Sequence, residues 1–284
     1  MVLYKYSSAK WGIEILRELR VRVTPPDEFN DPFEFTPAAV NPLDNPKKLS
    51  AYLKRQGVAA PVTSLRRIIP VLKKNNEGAR RFGRSLADAD MAARSAASKN
   101  FGVVCLCKSK DDIRMWAHYG AKHKGIALGL DFNREVSGIK GVVALEGARY
   151  RKRRARLNPM LAAGSAEWLR EMENVALTKS CEWRDERECR MICRLRDFKK
   201  ESRKQRGRVI VNHFLYIRPE TIREVILGCL INGRDETVIR KFCERKLPHV
   251  RLTKMHRDSR LFELMPKPAR SPCRIGLKAT VTVQ

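Results

Sequence analysis

The chain has 284 residues, enough for one large domain or two small ones whose core needs no metal or disulfide. Hydrophobic residues at 43% and aromatics at 7% exclude the composition of a disordered chain. Against 31 Asp and Glu stand 59 Lys and Arg, a formal charge of +28 whose field attracts polyanions, nucleic acid being the commonest.

Val2 to Tyr6 predicts a short strand, and Ser7 and Ser8 are candidate caps for a helix through Trp11, Ile15, Leu16 and Leu19. A second strand, Val21 to Thr24, ends at Pro25-Pro26. Phe29-Asn30-Asp31-Pro32-Phe33-Glu34 then predicts a turn, because Asn and Asp side chains bond their own backbone and Pro fixes φ. From about 45 to 100 the pattern is helical and cationic, with a break expected at Pro70, and reads as an inserted helical layer.

Val103 to Cys107 predicts a buried strand, followed by a helix that starts at Asp111 or Asp112 and carries Ile113, Met115, Trp116, Tyr119 and His123. Strands are expected at Gly125 to Phe132 and Val142 to Leu145, and a helix from about Met160 to Leu177. Further strands near Val209 to Ile217, Glu224 to Leu230, Val250 and Phe262 flank a helix from Asp235 to Arg245. The class expected is α+β: a central mixed or antiparallel sheet, split in two if the pattern allows, with flanking helices. One domain is expected over 1–265, followed by a basic, loosely structured tail at 266–284.

The eight cysteines contain no Cys-x-x-Cys pair, so neither a zinc site nor a disulfide framework is expected, and no other metal is implied. Cys105 with Cys107, and Cys189 with Cys193, read as core thiols on strands. Met-Val-Leu-Tyr-Lys-Tyr lacks the apolar stretch of a leader, and no run reaches membrane-spanning length. A cytoplasmic protein with no membrane partner is expected.

The basic surplus concentrates in Arg151-Lys152-Arg153-Arg154-Ala155-Arg156 and from Lys199 to Arg208. As charge runs these read first as solvated loops; with the whole-chain surplus they become a nucleic-acid surface of Arg151, Lys152, Arg153, Arg154, Lys199, Lys200, Arg206 and Arg208. Contacts of this kind carry no base sequence information.

The segment with most chemistry is Trp183-Arg184-Asp185-Glu186-Arg187-Glu188-Cys189-Arg190-Met191-Ile192-Cys193. Strand alternation puts Cys189, Met191 and Cys193 on one face and Glu186, Glu188 and Arg190 on the other. Two carboxylates so spaced perturb each other, and Arg190 holds at least one ionised. Read blandly, they form a ladder of exposed surface charge. Trp116 and Tyr119 read as core aromatics before cofactor platforms, and His118 as a structural imidazole before a catalytic one. No Walker loop, His-Glu-x-x-His or Gly-x-Ser-x-Gly motif is present.

In order, Leu3-Tyr4-Lys5-Tyr6, Phe29-Asn30-Asp31-Pro32-Phe33-Glu34, Met115-Trp116-Ala117-His118-Tyr119 with Lys124-Gly125, Lys179 with Trp183, Glu186, Glu188 and Arg190, and Glu224-Val225-Ile226-Leu227-Gly228 resemble a bacterial family known as a domain of unknown function. More distantly, the order of elements is similar to ADP-ribosyltransferases, which hold NAD between a polar residue on the first strand, a central aromatic and a later glutamate. That resemblance implies NAD as co-substrate, Glu186, Glu188 and Arg190 as catalytic residues, and Tyr4, Lys5, Tyr6, Asn30, Asp31, Trp116, His118 and Tyr119 around the cofactor. Lys5 departs from the Arg or His of that group. The implied activity is transfer to nucleic acid or another acidic acceptor, as in a toxin or phage-defence effector. The alternatives are a non-catalytic nucleic-acid-binding protein and a metal-dependent nuclease using Asp31, Glu34, Glu186 and Glu188.

Overall fold

A computed structural model describes residues 1–39, 42–74, 94–95, 97–132, 138–158, 160–161, 165–205 and 208–268. In chain order the strands are β1 (Val2–Ser7), β2 (Arg20–Val23), β3 (Ala38–Ala39), β4 (Phe101–Cys107), β5 (Ile126–Asp131), β6 (Val142–Gly147), β7 (Arg149–Arg151), β8 (Arg156–Leu157), β9 (Thr178–Ser180), β10 (Glu188–Arg194), β11 (Lys199–Gln205), β12 (Arg208–Tyr216), β13 (Ile222–Leu227), β14 (Arg251–Arg257) and β15 (Leu264–Pro268). The fold is α+β, and the chain divides into two compact units.

The first unit comprises Met1, Leu19–Lys108 and Phe132–Ile217. In it β10 lies between β4 and β6, antiparallel to both, with Arg190 opposite Cys105 on one side and Glu146 on the other. Every residue of β10 except Arg194 is buried. The expected thiol face of Cys189, Met191 and Cys193 is therefore present, but the opposite polar face is buried as well. Phe35, Val103, Ala176, Leu177 and Ile192 form an apolar cluster with Ala97, flanked by Phe29 and Phe101.

Three further expectations are corrected in this unit. Lys199 to Gln205 is not a loop: β11 pairs along its length with β12, which pairs in turn with β2. Pro70 does not break a helix but lies inside Val62–Lys74, where the acceptor it deprives, the carbonyl of exposed Arg66, remains open to water. The helix expected from Met160 runs only over Ala166–Leu177, because Ser165 caps it by accepting the Trp168 N–H at 3.2 Å. Helices Pro46–Arg55 and Val62–Lys74 supply the start of the expected helical layer; 75–93 and the tail beyond Pro268 lie outside the described residues.

The second unit comprises Val2–Glu18, Ser109–Asp131 and Arg218 onward. Its strands run in the order β15-β14-β13-β5-β1, with β13 and β14 parallel and the other pairs antiparallel. The helix Ile113–His118 starts as expected, because Asp112 Oδ1 accepts the N–H groups of Arg114 and Met115 at 2.8 and 3.2 Å. It stops five residues earlier than the sequence suggests. Ala121, Lys122 and His123 take left-handed φ values of 49°, 56° and 65°, a cost of about 1 kcal/mol each that backbone bonds from Leu230 and Gly228 to His123 and Gly125 offset. Among the described residues, no helix is long and apolar enough to cross a membrane.

Trp116 has no exposed surface, and its Nε1–H donates to the Lys110 carbonyl at 2.9 Å. Truncation there leaves a cavity and an orphaned carbonyl. Trp116→Ala should therefore lose about 3–5 kcal/mol in urea unfolding; a loss below about 1 kcal/mol would contradict this packing.

Candidate functional site

The alternation that should align Glu186 with Glu188 and Arg190 starts only at Glu188. Ser180 accepts the Glu182 N–H and opens a short 3-10 helix, Cys181–Glu186, after which Arg187 turns into the left-handed region at φ 46°. Glu186 therefore sits on that turn and not on the strand face. Its carboxylate nonetheless reaches the same cluster, with Oε2 2.5 Å from Lys179 Nζ.

Lys179 on β9 is the centre of this cluster. Its Nζ lies 2.9 Å from Glu188 Oε2 and 3.3 Å from Glu34 Oε1, besides Glu186. Arg190 completes the ring, 3.0 Å from Glu188 Oε2 and 2.5 Å from Glu34 Oε2, and donates through a second nitrogen to the Ala176 carbonyl at 2.7 Å. Glu34 comes from 156 residues before Arg190 in sequence. The side chains of Glu34, Lys179, Glu188 and Arg190 are at most 6% exposed. Tyr150, beside Lys179 in the β7–β9 register, accepts the Glu188 N–H at 2.7 Å.

Burial opposes ionisation throughout this cluster, and the partners decide each outcome. Glu188 is desolvated, yet Arg190 and Lys179 outweigh burial and hold its carboxyl down at about 2. For Glu34 burial prevails over the same two cations and its pKa is raised. Burial would lower Lys179 and Arg190, but the surrounding carboxylates raise both. Burial pushes the Tyr150 phenol up to about 12.

Glu34 and Lys179 also line a cleft of about 510 Å³. One wall is the turn region 31–38 and the other is the basic run 151–156. The run is held at both ends: Arg151 pairs with Ser180 where β7 meets β9, and Arg156 pairs with Ala38 where β8 meets β3. The Ala38 N–H donates to the Ala155 carbonyl at 2.7 Å. Arg151, Lys152, Arg153 and Arg154 between these anchors are all exposed. Among the described residues, no carboxylate forms an ion pair with Arg151, Lys152 or Arg153.

The predicted site residues divide between the units. Glu186, Glu188, Arg190 and buried Asp31 belong to the first; Asn30 does too but is exposed. Tyr4, Lys5, Tyr6, Trp116, His118 and Tyr119 belong to the second. There Tyr6 donates to the Ser109 carbonyl at 2.9 Å and packs edge-on against Trp116 at 5.1 Å, so both are core residues. Tyr4 donates to buried Glu224 at 3.3 Å, which Arg251 and Lys110 also approach at 2.8 and 3.5 Å. Lys5 and Tyr119 are half-buried and His118 is exposed.

Of the predicted basic surface, Lys199 and Lys200 lie on β11 opposite Phe214 and His213; Arg208 begins β12, and Arg206 is outside the described residues. Lys179 and Tyr150 were not assigned to a site from sequence, and Glu34 only in the nuclease reading. The available signals were Glu34 closing the Phe29-to-Glu34 turn and Lys179 opening the segment that leads to Arg194.

Residues 115–191 match the model of a family described as a protein of unknown function (DUF2971). The matched stretch includes Lys179, Glu186, Glu188, Arg190 and the whole basic wall, but not Glu34. It supports a domain of unknown function. No curated protein and no solved structure matches the chain.

Because the Glu188 pKa is lower folded than unfolded, its ionised form stabilises the fold above the ordinary value of 4.5, and that contribution is lost as pH falls toward about 2. Glu34, shifted upward, contributes in the opposite sense. Glu188→Gln should lower stability at neutral pH and flatten the acid limb seen by circular dichroism between these two values. An acid limb as steep as the parent's would refute the assignment.

Proposed function

We propose that this chain binds nucleic acid through its phosphate backbone, in the cleft walled by Arg151, Lys152, Arg153 and Arg154. The observation that carries this reading is a run of exposed cations clamped by strand pairs at both ends. A solvated loop would have to lose conformational freedom on binding, whereas this one is already held, which lowers the cost of association. Cations of such a wall that displace condensed counterions from the phosphates supply affinity and steep salt dependence. They convey no sequence, so recognition by base identity is not part of the reading.

The two enzymatic alternatives fit the geometry less well. A transferase glutamate must reach a ribose as nicotinamide leaves, but Glu186 and Glu188 both direct Oε2 at Lys179, and Glu188 is also bound by Arg190. A nuclease of the metal-dependent kind needs its carboxylates turned toward a cation site. Here Glu34, Glu186 and Glu188 converge on the ammonium of Lys179, which occupies the position such an ion would take. NAD-dependent nicotinamide release or magnesium-dependent strand cleavage by the purified protein would replace the binding reading with one of these.

Fluorescence anisotropy with labelled oligonucleotides across a salt series tests the proposal. Each phosphate contact contributes roughly 0.7–0.9 to the slope of log affinity against log salt. The triple variant Arg151→Ala, Arg153→Ala, Arg154→Ala should reduce that slope by about 2–3. A charge-matched control, Arg234→Ala, Lys241→Ala, Arg245→Ala on the exposed face of helix Gly233–Lys246, should change it far less. Equal losses in both triples would assign binding to overall charge and overturn the cleft.

A further inference from the structure

Phe33 is 64% exposed, although the residues after it are deeply buried: Glu34 in the ionic cluster at 2%, and Phe35 in the core at 3%. The backbone at Phe33 is fixed from several directions. Its N–H donates to Asp31 Oδ1 at 2.9 Å, and its carbonyl accepts from Thr36 Oγ1 at 2.6 Å and from the Thr36 N–H at 3.3 Å. Arg94 braces the same turn, reaching the carbonyls of Pro26, Phe29 and Pro32 at 2.9, 3.3 and 3.0 Å. Phe35 anchors it below by stacking on Phe29 at 5.8 Å. The ring of Phe33 is thus presented on a rigid support.

An exposed phenylalanine leaves a large apolar face in water, and a single one on a surface is unremarkable. The location gives this one meaning, because Phe33 lines the same cleft as the wall Arg151 to Arg156. An aromatic face beside clamped cations matches the two chemical parts of a nucleotide in a flexible strand, a base to stack and phosphates to neutralise. A cleft of about 510 Å³ is large enough for one such unit. In a duplex both faces of each base are covered by neighbouring pairs, so Phe33 would find no partner along its length.

We propose that the cleft takes single-stranded nucleic acid, with an unpaired base stacked on Phe33 while adjacent phosphates contact Arg151, Lys152, Arg153 and Arg154. This rests on the nucleic-acid reading above and narrows it to one class of ligand. Asp31 and Thr36 are positioning residues, since they fix the backbone that carries the ring.

The test compares a single-stranded oligonucleotide with a hairpin duplex of equal phosphate count, using the full chain, Phe33→Ala and Phe33→Trp. The parent should favour the single strand. Phe33→Ala should weaken single-strand binding by roughly 5- to 100-fold, the range of one lost base stack, while leaving duplex binding and the salt slope unchanged. Phe33→Trp should restore the loss, which a purely structural role would not predict, and the thermal melting of all three proteins should coincide because the ring is exposed. Parent-like binding by Phe33→Ala, or no preference for the single strand in the parent, would overturn the inference while the triple arginine variant still weakens binding. Should that triple variant bind as the parent does, the nucleic-acid reading itself fails.

Discussion

Lys179 Nζ lies within 3.3 Å of three carboxylates, and two of those are shared with an arginine that has no exposed surface. Moving so many charges out of water costs several kcal/mol per ion, which only close mutual pairing offsets. Three carboxylates against two cations leave one negative charge in excess, and the raised pKa of Glu34 is the direction that relieves it. The pairing also constrains geometry, because a turn, β9, a 3-10 helix and β10 must all come together before any member is satisfied. Loss of Glu34 takes from Arg190 one of its two carboxylates, and loss of Lys179 takes a cation from all three acids. Replacement of such a cluster by apolar side chains is often neutral for stability, so its role here is better read as setting position.

What it positions is the cleft. The turn that delivers Glu34 leads directly into β3, and β3 pairs with β8 at one end of the basic run. The strand that delivers Lys179 pairs with β7 at the other end. One anchor of the cationic wall, Ser180, directly follows Lys179, and the other, Ala38, lies four residues beyond Glu34. The acids of the cluster are turned inward onto buried Lys179 and Arg190, while the cations of the run stay exposed. The same turn holds Phe33 outward while Glu34 and Phe35 after it are buried, which places an aromatic surface beside the cations.

Some of this was legible in the sequence. The alternation of Glu188 and Arg190 against Cys189, Met191 and Cys193 follows from strand geometry alone, and the caps at Asp112 and the turn at Asp31 follow from local side-chain chemistry. Glu186 was misplaced because a serine cap at Ser180 favours a 3-10 turn over continued strand, a local competition that alternation does not register. Burial of both faces of β10 was invisible too, since a polar face next to arginine reads as surface until a lysine and a glutamate from distant segments arrive to neutralise it. The basic run reads as a free loop because β7 and β8 are only three and two residues long and carry no periodic signal. Trp116 resolves into a core residue, the more ordinary of the two readings its sequence pattern allows, and Tyr6 packs against it; with the other first-strand and helix candidates they belong to the second unit.

Amide hydrogen exchange in a Lys179→Met variant, which keeps an unbranched side chain of similar bulk and removes its charge, tests most directly whether the buried charges set the cleft. Protection should fall across β7, β8 and the segment 151–156 between them, while the β5–β13 pairing of the second unit exchanges as in the parent. Unchanged protection across β7 and β8 would show that the wall stands without the network and would contradict the account.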